Sequence, residues 1–278
     1  MNSHATPFLK WVGGKRWLST NFQFPILPSF QRYFEPFLGG GAIFFSVKPQ
    51  VAILSDINQE LINAYIQIKI NVDQIIDQLL KHQNLHCKEH YYSIRNLICR
   101  DELESAVRFI YLNRTCWNGL YRVNRNGKFN VPIGTKKSVS FENGQLEAAA
   151  EALIFAEIRC SDFEDSIDMT DQGDFLFVDP PYTANHNFNG FLKYNESMFS
   201  WADQRRLQAS VARAIGRGVQ VAVTNADHES VRDLYKDIAS YQQVWRASIL
   251  AGKASTRRRT SEALFIANFE PCPKVFTS

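Results

Sequence analysis

The segment Phe175-Leu176-Phe177-Val178-Asp179-Pro180-Pro181-Tyr182 is the most informative part of this sequence for both fold class and chemistry. A run of apolar residues that ends in an acid is typical of a strand buried on both faces of a parallel sheet. Such a strand delivers the next polar residue at the carboxyl edge, where open α/β sheets hold their ligands. The stretch therefore predicts an α/β fold with Asp179 in a ligand site.

The Asp-Pro-Pro-Tyr turn after this strand has a specific hydrogen-bonding pattern. Pro180 and Pro181 fix their φ angles and remove two backbone donors, so the carbonyls of Asp179 and Pro180 face outward as acceptors. A carboxylate and a carbonyl together accept both hydrogens of an amino group, and the Tyr182 ring offers a face for stacking. The turn predicts a site for a planar heterocycle with an exocyclic amino group, such as adenine. A proline-stiffened surface turn is the alternative.

Strand and helix patterns extend the prediction along the chain. Apolar spacing of three and four predicts helices between 59 and 113 and again over 142–155, and Asn126-Gly127 between two short strand-like runs predicts a β-hairpin. The pattern as a whole indicates a doubly wound sheet with an inserted helical block. Strands are predicted at Arg32–Phe37, Val51–Leu54, Glu157–Cys160, Phe175–Val178, Val219–Val223, Gln243–Trp245 and Ala263–Ala267.

Composition narrows the class of protein. The chain has 278 residues, of which 45% are hydrophobic, and a net charge of +3. It has neither a signal-peptide pattern nor an apolar run of about 18 residues, so we expect a cytoplasmic protein with no membrane partner. The five cysteines lack Cys-x-x-Cys spacing and are expected to be reduced. His82, His86 and His90 lie four apart in a polar stretch, which favours a solvated face over a metal site, and no metal is expected.

A second motif, Glu35-Pro36-Phe37-Leu38-Gly39-Gly40-Gly41, joins the first predicted strand to a helix. Glycines there let the backbone approach a ligand, and Asp56 ends the next strand, where an acid commonly binds ribose hydroxyls. A dinucleotide fingerprint would need Gly or Ala at Phe44, and a P-loop is not formed around Gly13-Gly14-Lys15. A cofactor with a ribose but no phosphate fits better, which favours S-adenosylmethionine.

Five motifs in a fixed order carry a family resemblance. They are Phe8-Leu9-Lys10-Trp11-Val12-Gly13-Gly14-Lys15, the motif from Glu35 to Gly41, Asp56-Ile57-Asn58, the motif from Leu112 to Arg122, and Asp179-Pro180-Pro181-Tyr182. The chain resembles the Dam-type (D12 class, alpha group) adenine-N6 DNA methyltransferases from about Phe8 to Phe269. This resemblance implies a Rossmann-like S-adenosylmethionine-dependent catalytic domain, 1–58 and 146–278. It also implies an inserted, mainly helical target-recognition domain with a β-hairpin, 59–145, that binds double-stranded DNA.

The resemblance also implies a set of cofactor contacts. Trp11 and Lys15 would cover the cofactor, Asp56 would take the ribose hydroxyls, and Asp162 with Phe163 would hold its adenine. The full expected set is Trp11, Lys15, Phe37, Gly39, Gly41, Asp56, Ile57, Asp162, Phe163 and Asp179.

DNA contacts are expected from the inserted domain. Arg122 lies in a basic stretch and can make a bidentate contact to guanine, whereas by resemblance Trp117 would wedge into the duplex. A buried anchor is the alternative for Trp117. The full expected set is Lys10, Trp117, Asn118, Leu120, Arg122, Pro132 and Lys137.

The leading functional hypothesis is methylation of adenine N6 in duplex DNA, with GATC as the expected target. Asp179, Pro180 and Tyr182 would act on an adenine rotated out of the helix. The aromatic segment from Asn187 to Trp201 would close over the base, although Phe199 and Trp201 are better assigned to the core. A companion restriction endonuclease is a possible partner.

Other functions stay open at this stage. GATATC is the nearest alternative target. Cytosine N4, RNA adenine or a protein glutamine amide are alternative acceptors that Asp179 disfavours, since Ser or Asn commonly stands there in such enzymes. A non-catalytic DNA-binding protein and an NAD-dependent oxidoreductase are alternatives from other classes, and the intact motifs and Phe44 disfavour them.

Overall fold

The computed structural model describes residues 5–20, 29–124, 126–136, 139, 141–183, 199–247 and 259–270. Its strands are β1 (Tyr33–Glu35), β2 (Ala52–Asp56), β3 (Ala156–Cys160), β4 (Phe175–Val178), β5 (Gln220–Ala226), β6 (Ser240–Ala247) and β7 (Arg259–Ala267). Its helices are α1 (Arg16–Thr20), α2 (Ala42–Val47), α3 (Gln59–Asn84), α4 (Lys88–Arg95), α5 (Glu102–Thr115), α6 (Gln145–Leu153), α7 (Phe163–Asp168), α8 (Trp201–Gly216) and α9 (Glu229–Tyr235).

The strands form a seven-stranded sheet in the order β3-β2-β1-β4-β5-β7-β6. β1 pairs in parallel with β2 and β4, and β4 pairs in parallel with β5. β7 pairs antiparallel with both β5 and β6. All the predicted strands are confirmed, and so is the doubly wound α/β fold. Because β7 runs antiparallel, its first residues lie at the edge where β5 ends, with Glu262 opposite Ala226.

Contacts divide the chain into two compact units. The first comprises Met1–Gly14, Gly39–Lys48 and Asp56–Cys160, and the second comprises Lys15–Leu38, Pro49–Ser55 and Ser161–Ser278. The predicted domain boundaries, with 59–145 as an insert, stay a prediction.

The first unit is built on α3, which packs against α5 and α6. The buried side chains of α3 include Leu61, Tyr65 and Ile68, and Phe8 packs edge-on against Tyr65 with ring centroids 4.9 Å apart. Polar caps fix where the helices begin, since Asn58 accepts from the Leu61 amide at the start of α3. The helical block predicted over 59–113 is thus confirmed as three helices.

The predicted hairpin is confirmed in a reduced form. Val123 and Phe129 make an isolated antiparallel bridge rather than a ladder. The turn between them is held by Asn124, whose Oδ1 accepts the amides of Asn126 and Lys128 at 3.0 Å. An Asx-type turn therefore takes over part of the role that paired strands would have.

The second unit contains a core on which the strands β1, β2, β4, β5 and β7 converge, filled by residues such as Phe34, Leu176 and Phe265. α8 begins with a capping box in which Ser200 and Asp203 bond each other's backbone amides. Phe199 is 6% exposed in this core, and Trp201 packs against it. The assignment of these two aromatics to the core is confirmed, whereas residues 187–198 of the predicted aromatic lid lie outside the described residues.

The three spaced histidines are half-buried, so the predicted solvated face is only partly exposed to solvent. All three rings pack against Tyr111, and His86 Nδ1 bonds the Tyr111 hydroxyl at 2.7 Å. Burial lowers the pKa of His82 and of His90. The described residues include no cluster of His, Cys, Asp and Glu suited to a metal. The cysteines placed by the structure are free thiols, and no helix within the described ranges is long and apolar enough to cross a membrane.

Candidate functional site

Asp179 lies directly after β4, at the carboxyl edge that the sequence predicted. Its Oδ1 contacts Lys15 Nζ at 2.8 Å and accepts the Thr224 hydroxyl at 2.7 Å. Its Oδ2 and the Pro180 carbonyl accept no hydrogen bond from the residues that the structure describes. One carboxylate oxygen is thus held by the protein, while the other oxygen and a neighbouring carbonyl are left to accept from a ligand.

Opposing effects set the charge state of Asp179. Burial is the largest cause and raises the pKa of the carboxyl, and the nearby Glu262 raises it further. The Lys15 ammonium and the Thr224 hydroxyl stabilise the carboxylate and oppose that rise. The pKa of Asp179 lies above its usual value, so the acid limit of any activity that needs the carboxylate falls above that of an exposed aspartate.

Tyr182 is fixed by a residue that no sequence motif singled out. Its hydroxyl donates to Glu262 Oε2 at 2.6 Å, and Lys15 Nζ lies 4.7 Å from the centre of its ring. Burial and the carboxylates of Asp179 and Glu262 raise the pKa of Tyr182 well above its usual value, so its hydroxyl stays protonated. The signal in the sequence was an acid directly before an apolar strand run, Glu262 before Ala263-Leu264-Phe265.

Two buried amides hold the next part of the turn. Asn225 Nδ2 donates to Gln204 Oε1 at 3.0 Å, and Gln204 Nε2 donates to the Pro181 carbonyl at 3.3 Å. Both side chains are fully buried. Thr183 Oγ1 then donates to the Phe199 carbonyl at 2.6 Å. The Asp-Pro-Pro-Tyr turn is therefore fixed by side chains of β5 and α8 as well as by its prolines.

In the first unit, the glycine turn closes around Trp11. A Cβ on Gly39 would lie 2.7 Å from the indole Cδ1 of Trp11, and Gly39 has a φ of +46°. Gly41, with a φ of +64°, leaves space for the Tyr65 hydroxyl, which donates to the Gly39 carbonyl at 3.1 Å. The turn needs glycine for packing against Trp11 and Tyr65, a reason that spacing alone did not show.

Asp56 anchors the same turn. Its Oδ2 accepts the Gly39 amide at 3.1 Å and its Oδ1 accepts the Asn58 amide at 3.0 Å. Burial raises the pKa of Asp56, while these amides stabilise the carboxylate and oppose the rise. Each oxygen keeps a lone pair, so the carboxylate can still accept from a pair of hydroxyls. Ile57, next to it, is 74% exposed. The structure thus brings Trp11, Gly39, Gly41 and Asp56 together in one unit.

In the second unit, Phe37, Asp162 and Phe163 form a separate group. The Phe37 and Phe163 rings stack with centroids 5.4 Å apart. Arg206 pairs with both oxygens of Asp162, at 3.1 and 2.9 Å, and its guanidinium lies 4.3 Å from the centre of the Phe163 ring. Sequence reasoning missed Arg206 because it is an ordinary exposed residue on α8 until the fold places it there.

A buried asparagine, Asn113, ties the DNA-contact candidate Lys10 to Gly119, the residue that precedes the candidate Leu120. Asn113 Oδ1 accepts the Lys10 amide at 2.8 Å, and its Nδ2 donates to the Lys10 carbonyl at 2.7 Å. Gly119 has a φ of +64°, and a Cβ there would lie 2.5 Å from Lys10 Cβ. Partial burial, with the cations of Arg114 and Lys136, lowers the pKa of Lys10. Asn113 therefore fixes the backbone while leaving the Lys10 ammonium available.

The loop from Cys116 to Arg122, here called the 116–122 loop, exposes the side chains of Trp117, Asn118 and Arg122 and buries that of Cys116. Trp117 is 49% exposed, and Asn118 is exposed with a φ of +54°. The Trp117 amide donates to the Pro132 carbonyl at 2.9 Å, and Leu120 is half-buried. The alternative of a buried anchor for Trp117 is disfavoured by this exposure.

The Arg122 side chain is exposed, and a hydrogen bond to its Nε orients it. Its Nε donates to Asn130 Oδ1 at 2.7 Å, and its terminal nitrogens donate to none of the described side chains. The terminal nitrogens are the pair that a bidentate contact to guanine requires. Lys137, the remaining DNA-contact candidate, lies outside the described residues.

Comparison with known proteins identifies the family to which this chain belongs. Residues 11–249 match the family of D12 class N6 adenine-specific DNA methyltransferases. The chain belongs to this family. It is therefore an enzyme, a methyltransferase that acts on adenine in DNA, as the order of its motifs implied.

Several relatives match over most of the chain. The Type II methyltransferase M1.LlaDCHI of Lactococcus lactis subsp. cremoris is 36% identical over 272 residues, which cover 95% of each chain. The DNA N-6-adenine-methyltransferase of Escherichia phage P1 is 37% identical over 234 residues, which cover 82% of this chain and 31% of that protein. The DNA adenine methylase of Escherichia coli (strain K12) is 31% identical over 268 residues, which cover 92% of this chain and 93% of that protein.

Proposed function

We propose that this enzyme transfers a methyl group from S-adenosylmethionine to N6 of an adenine rotated out of duplex DNA, with GATC as its target. One observation carries the proposal. Asp179 Oδ1 is held by Lys15 and Thr224, whereas neither Asp179 Oδ2 nor the Pro180 carbonyl accepts a hydrogen bond from the part of the chain that the structure describes. Two acceptors that are fixed and left open in this way match the two hydrogens of an adenine amino group.

Asp179 and the Pro180 carbonyl would activate adenine N6, which is a weak nucleophile. The N6 lone pair of adenine is delocalised into the ring, and hydrogen bonds from N6 to Asp179 and Pro180 favour a tetrahedral nitrogen whose lone pair is localised. When bound, S-adenosylmethionine supplies an electrophilic methyl: the N6–carbon bond forms as the sulfur–carbon bond breaks, and the electron pair of that bond stays on sulfur. The surplus N6 proton then leaves to water. Positioning and electrostatic stabilisation account for most of the acceleration.

Residues in each unit fit the parts of this cofactor. Asp56 keeps acceptor capacity for ribose hydroxyls beside the exposed side chain of Ile57, and Trp11 covers the Gly39 turn. Asp162 and Phe163 are assigned to the adenine of the cofactor, a role that requires Arg206 to move away from the carboxylate and the ring that it contacts here. The full assignment is Trp11, Lys15, Phe37, Gly39, Gly41, Asp56, Ile57, Asp162, Phe163 and Asp179.

Rotation of the adenine out of the duplex costs a few kcal/mol, because pairing and stacking are lost. Stacking on Tyr182 would return about 1–3 kcal/mol. The Tyr182–Glu262 hydrogen bond supports this role, because it fixes the ring before the base arrives. The residues assigned to contacts with the DNA are Lys10, Trp117, Asn118, Leu120, Arg122, Pro132 and Lys137.

The deciding experiment is transfer of labelled methyl to duplexes that contain GATC, GATATC or neither. We expect label on N6 of the GATC adenine with the wild type, and a loss of about 10³-fold or more in kcat with Asp179→Ala. Asp237→Ala removes an exposed carboxylate and should leave the rate unchanged. Label confined to GATATC would replace the target, and no label on any duplex with intact cofactor binding would refute the proposal.

The Type II name of one relative motivates a proposal about biological context. The chain would protect host DNA from a companion restriction endonuclease with the same target. Plasmid DNA from cells that express the wild type should resist a GATC-cutting endonuclease, whereas plasmid from cells that express Asp179→Ala should be cut.

A further inference from the structure

The segment from Pro132 to Lys136, here called the 132–136 segment, is tied to the first unit at both of its ends. At its start, the Pro132 carbonyl accepts the Trp117 amide at 2.9 Å. At its end, the Lys136 carbonyl accepts a hydrogen bond from His86 Nε2 at 3.1 Å. The first tie is made by the backbone of the 116–122 loop, whereas the second is made by a side chain. Substitution of His86 can therefore release one end of the segment without changing the segment itself.

The two hydrogen bonds of His86 fix the state of its ring. A carbonyl oxygen can only accept, so Nε2 carries a proton and donates it to Lys136. Nδ1 of the neutral ring then accepts the Tyr111 hydroxyl, at 2.7 Å. Tyr111 is fully buried on α5. The His86 ring thus connects the exposed end of the 132–136 segment to the interior of the first unit.

The other two histidines of this cluster have a different role. His82 Nδ1 and His90 Nε2 lie 3.0 Å apart and bond each other. Both rings also pack against Tyr111, with ring centroids 5.1 and 5.7 Å from it. All three histidines therefore pack on one aromatic ring, but His86 is the one that bonds the 132–136 segment.

The backbone that His86 holds carries a cation beside another cation. Burial first, and then the cations of Arg114 and Lys136, lower the pKa of Lys10. The Lys136 side chain is exposed, and neither Lys10 nor Lys136 pairs with a carboxylate of the residues that the structure describes. Like charges at short range repel each other, so this arrangement is favoured by a bound anion. The phosphates of DNA are anions of the required kind.

We propose that His86 is a positioning residue for DNA binding, which connects the Lys136 carbonyl to the buried Tyr111 hydroxyl and so holds the 132–136 segment ready for the duplex. The inference rests on the proposed function, in which Pro132 and Lys10 contact DNA. A segment that is already held loses less conformational freedom when it binds, so its affinity is higher. The hydrogen bonds of His86 do not involve the Asp179 turn, so His86 acts on the affinity for DNA and not on methyl transfer.

The test measures the affinity for DNA and for the cofactor separately. Fluorescence anisotropy with a labelled GATC duplex gives the first dissociation constant, and calorimetry with S-adenosylmethionine gives the second. For His86→Ala, the dissociation constant for the duplex should rise about 2- to 12-fold, as expected for the loss of one hydrogen bond. The dissociation constant for S-adenosylmethionine should not change. His90→Ala is the matched control, since it removes a ring from the same cluster but no bond to the 132–136 segment.

Two conservative variants separate the hydrogen bond from the packing of the ring. The amide nitrogen of Gln lies as many bonds from Cβ as Nε2 of histidine does, so His86→Gln should recover most of the affinity for the duplex. The side chain of Asn is one bond shorter, so His86→Asn should bind the duplex as weakly as His86→Ala. This pair also serves as the test if His86→Ala does not fold.

The inference would be overturned by an unchanged affinity for the duplex in His86→Ala, or by an equal loss in His90→Ala. Equal affinities in His86→Gln and His86→Asn would also contradict it, because the donor at the Nε2 position would then have no effect. Wild-type protein that neither binds nor methylates any duplex would refute the proposed function instead, so the two failures are distinguishable.

Discussion

The Asp179 turn and the 116–122 loop are fixed in different ways. Asp179 and Tyr182 are held through their side chains, by Lys15, Thr224 and Glu262. The 116–122 loop is held through its backbone, by Asn113 and the Pro132 carbonyl, and leaves Trp117 and Arg122 exposed. The difference matches the two tasks that we propose for these regions. Chemistry requires dipoles oriented before the ligand arrives, whereas base recognition requires polar groups whose partners are supplied by DNA.

The largest expected effect would come from removing the cation that the Asp179 turn depends on. Lys15→Met leaves the buried carboxylates of Asp179 and Glu262 without their shared partner. Loss of one member of a buried ion pair typically costs about 3–5 kcal/mol of folding stability. Urea denaturation of the variant should show a loss of this size, together with a fall in kcat.

A double variant sharpens this prediction. Lys15→Met/Glu262→Gln leaves one buried carboxylate instead of two, so it should be more stable than Lys15→Met alone. A double variant that is less stable than the single one would mean that shape, and not charge balance, holds the turn. No surface substitution of the 116–122 loop, such as Asn118→Ala, should approach the effect of Lys15→Met on stability.

For the 116–122 loop we expect the opposite result: substitution should reduce selectivity between DNA duplexes and leave folding and cofactor binding intact. Arg122→Ala should reduce the preference for the cognate duplex over one with a changed guanine by about 1–3 kcal/mol, or roughly 5- to 150-fold. Competition between the two duplexes in a methyl-transfer assay measures this ratio. Lys128→Ala is the control, since Lys128 is also exposed and basic on the same hairpin. An equal loss on every duplex would assign Arg122 to phosphate rather than to a base.

The sequence predicted the parts of the site that lie along one strand. The apolar run that ends at Val178 located Asp179, and the glycine turn with Asp56 located the other strand ends. These predictions were possible because the spacing of apolar residues and the residues that end a strand are local features of the sequence. It did not predict Glu262, Thr224 or Arg206 as partners. Each of these acts across the tertiary structure, from an antiparallel strand, a neighbouring strand or a helix, and no local pattern encodes that pairing.

The same distinction holds for the fold. All the predicted strands were confirmed, and the clearest of them, Phe175–Val178, is an apolar run that is buried throughout. The hairpin was predicted as two strands and contains a single isolated bridge. The side chain of Asn124 accepts backbone amides in the turn that paired strands would otherwise bond. The histidines were assigned to solvent because their neighbours in sequence are polar. They pack instead on Tyr111, which is distant in sequence.

The smallest expected effect is a shift in pH dependence, and its sign follows from the groups around Asp179. The Asp179 carboxylate must be ionised to accept one N6 hydrogen beside the Pro180 carbonyl, as proposed, so activity falls as the pH drops through the pKa of Asp179. Burial and Glu262 raise that pKa, and Lys15 lowers it. Removing the Glu262 charge deletes one of the raising effects, so Asp179 should stay ionised to a lower pH.

For Glu262→Gln, the acid limb of kcat/KM for S-adenosylmethionine should therefore lie at lower pH than in the wild type, even though its plateau rate is reduced. For Lys15→Met the limb should move to higher pH, because the stabilising cation is lost. Arg122→Ala should not move it, since Arg122 lies outside the group that titrates. Profiles normalised to their plateaus separate this shift from the change in rate. If the acid limb moved to higher pH in Glu262→Gln, Glu262 would act on the Asp179 carboxylate by some means other than its charge. The contrast between the Asp179 turn and the 116–122 loop would then lose its electrostatic basis.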